Sequence, residues 1–225
     1  MKSITNTFSK QSFANFSLMF FLILAIFFVM LFPPQIQKIL YNFSLTGIFL
    51  SAFFCINLKS RRYFWWLVIT GIILQWSYFL TGYIVLNVVS KSLSIFLYFI
   101  IATLLVKQVA TSKTVNRIVI LESVNGYMML AMFYSIIIAL VMLYDPEAFR
   151  FQSSIIKNSD EISTNFNEYI YYGFNAFATV TYGDVLPVNP IAKSISMALS
   201  FTGQMYVAII ISMLVGKYIT RDMNK

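Results

Sequence analysis

The chain has 225 residues, of which 59% are apolar, and a mean hydropathy of +0.77. Soluble domains have about 45–50% apolar residues, so the composition excludes a soluble domain and predicts a polytopic membrane protein. The net charge of +8 does not by itself indicate a nucleic-acid partner, because basic residues also follow membrane topology.

The residue types present argue against catalysis within the membrane. The sequence has no histidine, and its single cysteine, Cys55, lies in an apolar run. The commonest general base is therefore missing, and neither a disulfide framework nor a thiolate metal site is predicted. We also expect no acidic residue within the apolar core of any span, whereas proton-coupled transporters and membrane hydrolases bury ionisable groups. The sequence predicts neither an enzyme nor a cofactor.

The first half of the chain reads as a four-span membrane domain, predicted over residues 1–122. About 13 polar residues at the start are expected at the membrane interface. Four apolar segments of roughly bilayer length follow, at about residues 16–32, 39–58, 63–88 and 93–109. Pro33 and Pro34 end the first, and a basic cluster at residues 59–62 ends the second.

The fourth span lacks the charge pattern of a voltage sensor. Such sensors repeat Arg or Lys every third residue, because each charge that moves is worth about 2.3 kcal/mol per 100 mV. Residues 93–106 contain no Arg or Lys. We therefore predict that gating does not use a charged fourth helix, and depends on the filter described below, the bilayer, small ions or an unknown regulatory partner.

The second half, residues 123–225, is predicted to form a separate domain. Its fifth span covers about residues 124–144 and passes into a polar loop at 145–165. Ser163 or Thr164 can cap the helix that follows. That helix, at about residues 166–178, is too short to cross a bilayer, so the chain must enter and return. A sixth span is expected at about residues 191–218.

Between the short helix and the sixth span lies the run Thr-Val-Thr-Tyr-Gly-Asp at residues 179–184. Backbone that is not helical is tolerated at membrane depth only where it is buried in protein or lines a water-filled path. Four such strands around an axis would offer rings of carbonyl oxygens that replace the water shell of a monovalent cation. The chain shows no internal repeat, so a closed ring requires a homotetramer with cyclic symmetry.

This run resembles the selectivity filter of the potassium channel pore domain, Thr-Val-Gly-Tyr-Gly-Asp, with Thr181 in place of the first glycine. Pro187 and the segments 203–208 and 214–216 extend the resemblance to small bacterial members of that family over about residues 124–219. The resemblance implies an all-α membrane protein with six transmembrane helices, a re-entrant pore helix and a filter. It also implies that K⁺ is the permeant ion. The residues that would bind it are Thr179, Val180, Thr181 and Tyr182, with Gly183 completing the filter.

Thr181 leaves the selectivity open. Glycine permits the left-handed backbone that the family filter uses, whereas a residue with a Cβ is penalised there by roughly 1–2 kcal/mol. Either the filter bends differently at this ring or surrounding packing holds the strain. A potassium channel is the leading hypothesis. The alternatives are a weakly selective monovalent cation channel and a non-conducting scaffold or transporter subunit.

Several side chains are expected to support this filter or to gate the pore. The Asn175 amide is predicted to bond to the Asp184 carboxylate behind the filter. Gly203 is a candidate hinge or close-packing point, and Gln204 a candidate cross-link between helices. An aromatic collar is predicted to brace the filter, and a cytoplasmic constriction is expected at one of two neighbouring residues. The collar comprises Tyr169, Tyr171, Tyr172, Phe174 and Phe177, and the constriction candidates are Ser212 and Met213.

The distribution of charge predicts the topology. With both termini, the second connection and the fourth connection inside, eleven of the sixteen basic residues are cytoplasmic. The inside then carries +9 and the outside −1, in keeping with the positive-inside rule. This layout predicts a multi-pass protein of the cell membrane in contact with lipid. It also explains the basic composition without nucleic acid.

Overall fold

The computed structural model describes residues 2–56, 61–112, 115–152 and 166–223. Within these ranges six helices are long and apolar enough to cross a membrane, and a seventh is short, which confirms the predicted fold class. The helices are α1 Lys2–Ile23, α2 Pro34–Cys55, α3 Arg61–Thr81, α4 Ile84–Thr111, α5 Arg117–Tyr144, α6 Phe166–Phe177 and α7 Pro190–Met223. A π-helical turn at Leu24–Phe28 and a 3₁₀ turn at Val29–Leu31 extend the first span. Two short strands, β1 Phe149–Phe151 and β2 Val185–Pro187, pair antiparallel.

Two predicted boundaries in the first half were wrong. The third span ends at Thr81 rather than residue 88, because Gly82 breaks the helix with φ +69°. The fourth span accordingly begins at Ile84 rather than residue 93. The first 13 residues, predicted to lie at the membrane interface, belong to the same helix as the first span, because α1 is already helical at Lys2. Polar residues near the ends of these helices are helical as well, because their backbone groups form hydrogen bonds with the adjacent helical turn.

The division between the two predicted halves falls inside a helix. α5 begins at Arg117, so residues 122 and 123 lie in its second turn. Asn116 starts this helix as an N-cap, and its Oδ1 accepts a 3.0 Å hydrogen bond from the Val119 N–H. The predicted caps Ser163 and Thr164 lie outside the described residues. Four basic residues of the topology argument do so too: Lys59, Lys113, Lys157 and Lys225.

The helices define two ends of the bundle. At the mouth end α5 finishes, the β1–β2 pair lies, and α6 and α7 begin. Asn189 organises this end: its amide donates to Asp145 Oδ2 at 2.6 Å, and its Oδ1 caps α7 by accepting from the Ala192 N–H at 2.7 Å. At the tail end α1 and α5 begin and α4 and α7 finish.

Two apolar clusters hold the bundle together. The first packs α1, α2 and α4 against α5, with Phe49 and Tyr98 as its largest fully buried side chains and their ring centroids 5.4 Å apart. The second packs α6 between α5 and α7 around Phe177. The short helix is thus enclosed by long helices, which is what a re-entrant segment requires.

The expectation that no span buries an acid was wrong at Glu122. This residue lies within α5, is only 2% exposed, and is held by amides from α1 and α4. Its Oε1 accepts from Gln11 at 3.2 Å, from Asn15 at 3.4 Å and from Gln108. The donors come from positions far apart in the sequence, so no local pattern indicates that they meet.

Replacing Glu122 with alanine is expected to destabilise the tail end. Three amide donors would lose their acceptor, and each buried donor left unsatisfied costs about 1–3 kcal/mol. Glu122→Gln keeps an acceptor oxygen and is the matched control. Thermal unfolding of the purified protein in detergent should show a clearly lower midpoint for Glu122→Ala than for Glu122→Gln. Equal midpoints would mean that the carboxylate does not organise these amides.

Candidate functional site

α6 delivers the chain to the segment 179–183, which we call the filter segment. Around the end of this twelve-residue helix, the N–H groups of Ala178, Thr179 and Val180 donate back to helix carbonyls. Their acceptors are the carbonyls of Phe174, Ala176 and Asn175, at 2.9, 3.1 and 2.9 Å. The N–H groups of Thr179 and Val180 are thus bonded to α6. The carbonyl groups of the filter segment are not used by these bonds.

The backbone of the filter segment alternates in handedness. φ is +59° at Thr179, +30° at Thr181 and +85° at Gly183, while Val180 and Tyr182 between them do not have positive φ. A β-strand turns successive carbonyls to opposite sides. The alternation of positive and non-positive φ departs from this pattern, so the filter segment is not a regular β-strand.

Thr181 adopts the left-handed backbone although it carries a Cβ. Its φ of +30° departs from the value of about +57° that is typical of this region, whereas Thr179 is close to it. Non-glycine residues pay roughly 1–2 kcal/mol for left-handed backbone. The left-handed backbone is thus present at Thr181, with a φ shifted from the typical value.

Residues 178–183 are exposed in the single chain, Val180 by 50% and Tyr182 by 71%. Irregular backbone facing lipid would leave polar groups unsatisfied at several kcal/mol each. This surface must therefore meet water or further protein. The filter segment lies beside the point where α7 contacts the end of α6.

α7 contacts the end of α6 at two points and the filter segment at one. Gln204 Nε2 donates to Thr179 Oγ1 at 2.9 Å, and Ser200 Oγ donates to the Ala176 carbonyl at 3.0 Å. Gly203 lies against the Phe177 carbonyl, where an added Cβ would come within 1.9 Å of the oxygen. α7 is continuous through Gly203, so the structure favours the close-packing interpretation of Gly203 over a hinge. Gln204 links α7 to the filter segment.

A comparison with protein-family models matches residues 136–220 to a family described as an ion channel. These residues are similar to an ion channel domain. The match runs from within α5 through α6 and the filter segment into α7, and covers fewer than half of the residues. No curated protein and no solved structure matches the chain.

The aromatic residues of the predicted collar pack around α6 rather than around the filter segment alone. Phe177 is 1% exposed, with its ring centroid 4.8 Å from Tyr127 and 6.2 Å from Tyr134 on α5. Tyr172 packs on Phe149 at 5.3 Å, and its hydroxyl lies 2.6 Å from that of Ser196. Phe174 faces Phe27 of the first span, and Tyr169 faces Phe151.

Asp184 has a different partner from the one predicted. Its carboxylate accepts a hydrogen bond from Tyr171, and this bond, with burial and nearby acidic charge, raises the pKa of Tyr171 to about 12. Among the described residues no hydrogen bond joins Asn175 to Asp184. The Asn175 carbonyl accepts from the Val180 N–H, so Asn175 lies beside Val180. From there the extended chain runs back along α6 by about one helical turn, and Asp184 therefore lies beside Tyr171.

Tyr171→Phe is therefore expected to weaken the outer end of the filter. The variant removes the donor to Asp184 and leaves the ring in place. We expect currents that decline faster during a sustained opening, measured in planar bilayers. Asn175→Ala is the matched control on the same helix and should decline at the native rate. The reverse order, with Asn175→Ala faster, would restore the contact predicted from the sequence.

At the tail end the structure separates the two constriction candidates. Ser212 is exposed, whereas Met213 packs toward Val109 and Val119 of α4 and α5. Ser212 is thus the remaining candidate of the pair for a position on the pore axis. The close packing that draws Met213 away involves residues about a hundred positions earlier.

Two residues that sequence reasoning missed join α7 to the ends of α4 and α5 at the tail end. The Lys217 ammonium donates to the carbonyls of Val109 and Ala110 at 3.0 and 2.8 Å, where α4 ends. A cation at a helix C-terminus is favourable because the last carbonyls lack partners. The Tyr206 hydroxyl donates to the Ser123 carbonyl at 2.6 Å. The position of Lys217 near the end of an apolar helix was the sequence signal that could have indicated this contact.

Proposed function

We propose that the protein is a potassium channel in which four copies bring their filter segments together around one axis. The observation that carries the proposal is the alternation of left-handed backbone at Thr179, Thr181 and Gly183. Such alternation would turn successive carbonyl oxygens to one side, and rings of such oxygens replace the hydration shell of K⁺. The sites proposed for the ion are formed by Thr179, Val180, Thr181 and Tyr182.

Assembly as a homotetramer is supported by what one chain leaves uncovered. The filter segment cannot face lipid, and one strand cannot enclose an ion. α7 also exposes large apolar side chains, including Phe201 at 68%. Further copies would cover this surface, and cyclic symmetry closes it.

The pore helix supports cation passage electrostatically. α6 runs from the mouth end inward, so its C-terminal carbonyls, which carry about half a negative charge, face the inner end of the filter segment. At the mouth end, burial and then the charge of Asp184 raise the pKa of Glu168. Acidic side chains thus gather where a cation would leave or enter.

The wider setting follows the charge count. We propose a location in the cell membrane, with the mouth end outside and both termini in the cytoplasm. The channel match favours transport over catalysis. The first four spans carry no repeated charge across the membrane, so the proposed channel is not opened by a charged fourth helix.

A weakly selective cation channel is the second candidate, and one observation favours it. The φ of Thr181 departs from that of its left-handed neighbours, so one ring of oxygens differs in position from the others. A looser ring discriminates less between K⁺ and Na⁺.

The proposal is tested by ion flux into liposomes that contain only the purified protein. We expect K⁺ uptake well above that of protein-free liposomes, and slower uptake when Na⁺ replaces K⁺. Chemical cross-linking of the same liposomes should give a ladder that ends at four chains. Equal K⁺ and Na⁺ uptake would favour the second candidate. Absence of flux from liposomes that contain folded protein would favour the scaffold.

A further inference from the structure

A cavity of about 320 Å³ opens at the mouth end, between α2, α3 and α4. Its floor is formed by Ile136 of α5 and Phe166, the first residue of α6. The volume lies at the lower end of the range of about 300–1,000 Å³ that is typical of small-molecule sites. Most of its lining belongs to the first half of the chain, and no residue of the filter segment lines it.

The polar part of the cavity is suited to an anion that also carries a hydroxyl. Lys38 and Lys91 bring two ammonium groups to its wall, and none of the described residues that line it is acidic. Gln75 is 5% exposed, and its Nε2 donates to the Asn42 carbonyl and to Asn42 Oδ1 at 3.1 and 3.0 Å. Its Oε1 is buried and has no hydrogen-bond partner in the described chain. A buried acceptor without a donor costs free energy that a ligand hydroxyl would recover.

The rest of the wall is apolar and aromatic. Leu45, Phe79 and Tyr78 line it together with the floor residues. Two cations beside an apolar cavity wall match a ligand with an anionic head and a hydrocarbon chain. The head would pair with the ammonium groups, and the chain would be buried against the apolar wall. We propose that this cavity binds an anionic amphiphile whose phosphate or carboxylate head contacts Lys38 and Lys91 and whose hydroxyl donates to Gln75.

The site shares a wall with the helix that holds the filter segment. Tyr41 lines the cavity, and its hydroxyl donates to Asn167 Oδ1 in the first turn of α6. The Tyr41 ring also meets Phe166 edge-to-face at 5.3 Å, and the Asn167 amide donates to Gln37 Oε1 at 2.7 Å. A ligand in the cavity therefore contacts the same side chains that anchor the start of the pore helix, and its binding steadies that helix.

The ligand chemistry has two sources, a bilayer lipid or a free amphiphile, and binding to the full-length protein separates them. Native mass spectrometry from detergent would be run with phosphatidylglycerol, with phosphatidylcholine and with 3-hydroxydecanoate. We expect saturable binding of one of the two anions and weaker binding of phosphatidylcholine. Phosphatidylglycerol alone identifies the bilayer as the source, and 3-hydroxydecanoate alone identifies a free amphiphile.

Variants assign the binding to the cavity. Lys91→Gln and Lys38→Gln are each expected to reduce the bound anion at least fivefold at a fixed concentration. Lys193→Gln removes the same charge from an exposed position at the start of α7 and should bind as the native chain does. The thermal unfolding midpoint of each of the three variants is measured to show that it is folded. If one cavity variant does not fold, the other still tests the proposal. Equal binding in the cavity variants, or an equal loss in Lys193→Gln, would overturn the proposal.

Discussion

Gly203→Ala is expected to abolish ion conduction without loss of the folded chain. The added Cβ would lie 1.9 Å from the Phe177 carbonyl oxygen and 2.9 Å from its carbon. Both atoms are backbone, so no side chain can rotate away, and either α7 or the end of α6 must shift by more than 1 Å. Overpacking of this kind typically costs about 1–3 kcal/mol. Since the filter segment begins two residues after Phe177, the shift is transmitted directly to its carbonyls.

The matched control lies on the same helix. A Cβ added at Gly216 meets nothing within 4 Å, so Gly216→Ala tests the general effect of replacing a glycine in α7. Liposome flux at equal protein content should fall more than tenfold for Gly203→Ala and stay near native for Gly216→Ala. Native flux in Gly203→Ala would show that the helices separate easily and that the close approach does not position the filter.

Thr181→Gly is expected to raise the preference for K⁺ over Na⁺. Glycine adopts positive φ without penalty, so the residue can relax from +30° toward the geometry of Gly183 at +85°. The strain released is roughly 1–2 kcal/mol, and about 1.4 kcal/mol corresponds to a factor of ten. The K⁺ to Na⁺ permeability ratio should therefore increase several-fold, up to about tenfold.

Thr181→Ala separates the backbone effect from the side-chain effect. Alanine lacks the branched Cβ of threonine but keeps the penalty for left-handed backbone. Its permeability ratio should stay closer to native than that of Thr181→Gly. If glycine and alanine change the ratio equally, the threonine side chain rather than the backbone sets the selectivity. An unchanged ratio in both would mean that Thr181 is accommodated without functional consequence.

The sequence was sufficient where the determining residues are contiguous. The number of spans and the short helix depend on local length and pattern, and the structure contains all of them. The third span was misjudged because its apolar run continues past Gly82, although a glycine within such a run was the available warning. Its positive φ makes it the end of a helix rather than its interior.

The contacts that were missed join helices that are distant along the chain. Glu122 is held by amides at positions 11, 15 and 108, and Lys217 caps a helix about a hundred residues earlier. No periodicity within one helix specifies the rotation that brings such side chains together. The predicted partner of Asp184, Asn175, lies one helical turn from the observed partner, Tyr171. The sequence does not specify how the extended chain after α6 is aligned along that helix.

The most direct test of the proposed channel is the reversal potential of the native protein in a planar bilayer, with K⁺ on one side and Na⁺ on the other. A filter built from inward carbonyls predicts a current whose reversal is displaced toward the K⁺ equilibrium potential, by about 59 mV for each tenfold preference. A reversal at zero, or folded protein that carries no current, would contradict the proposed potassium channel.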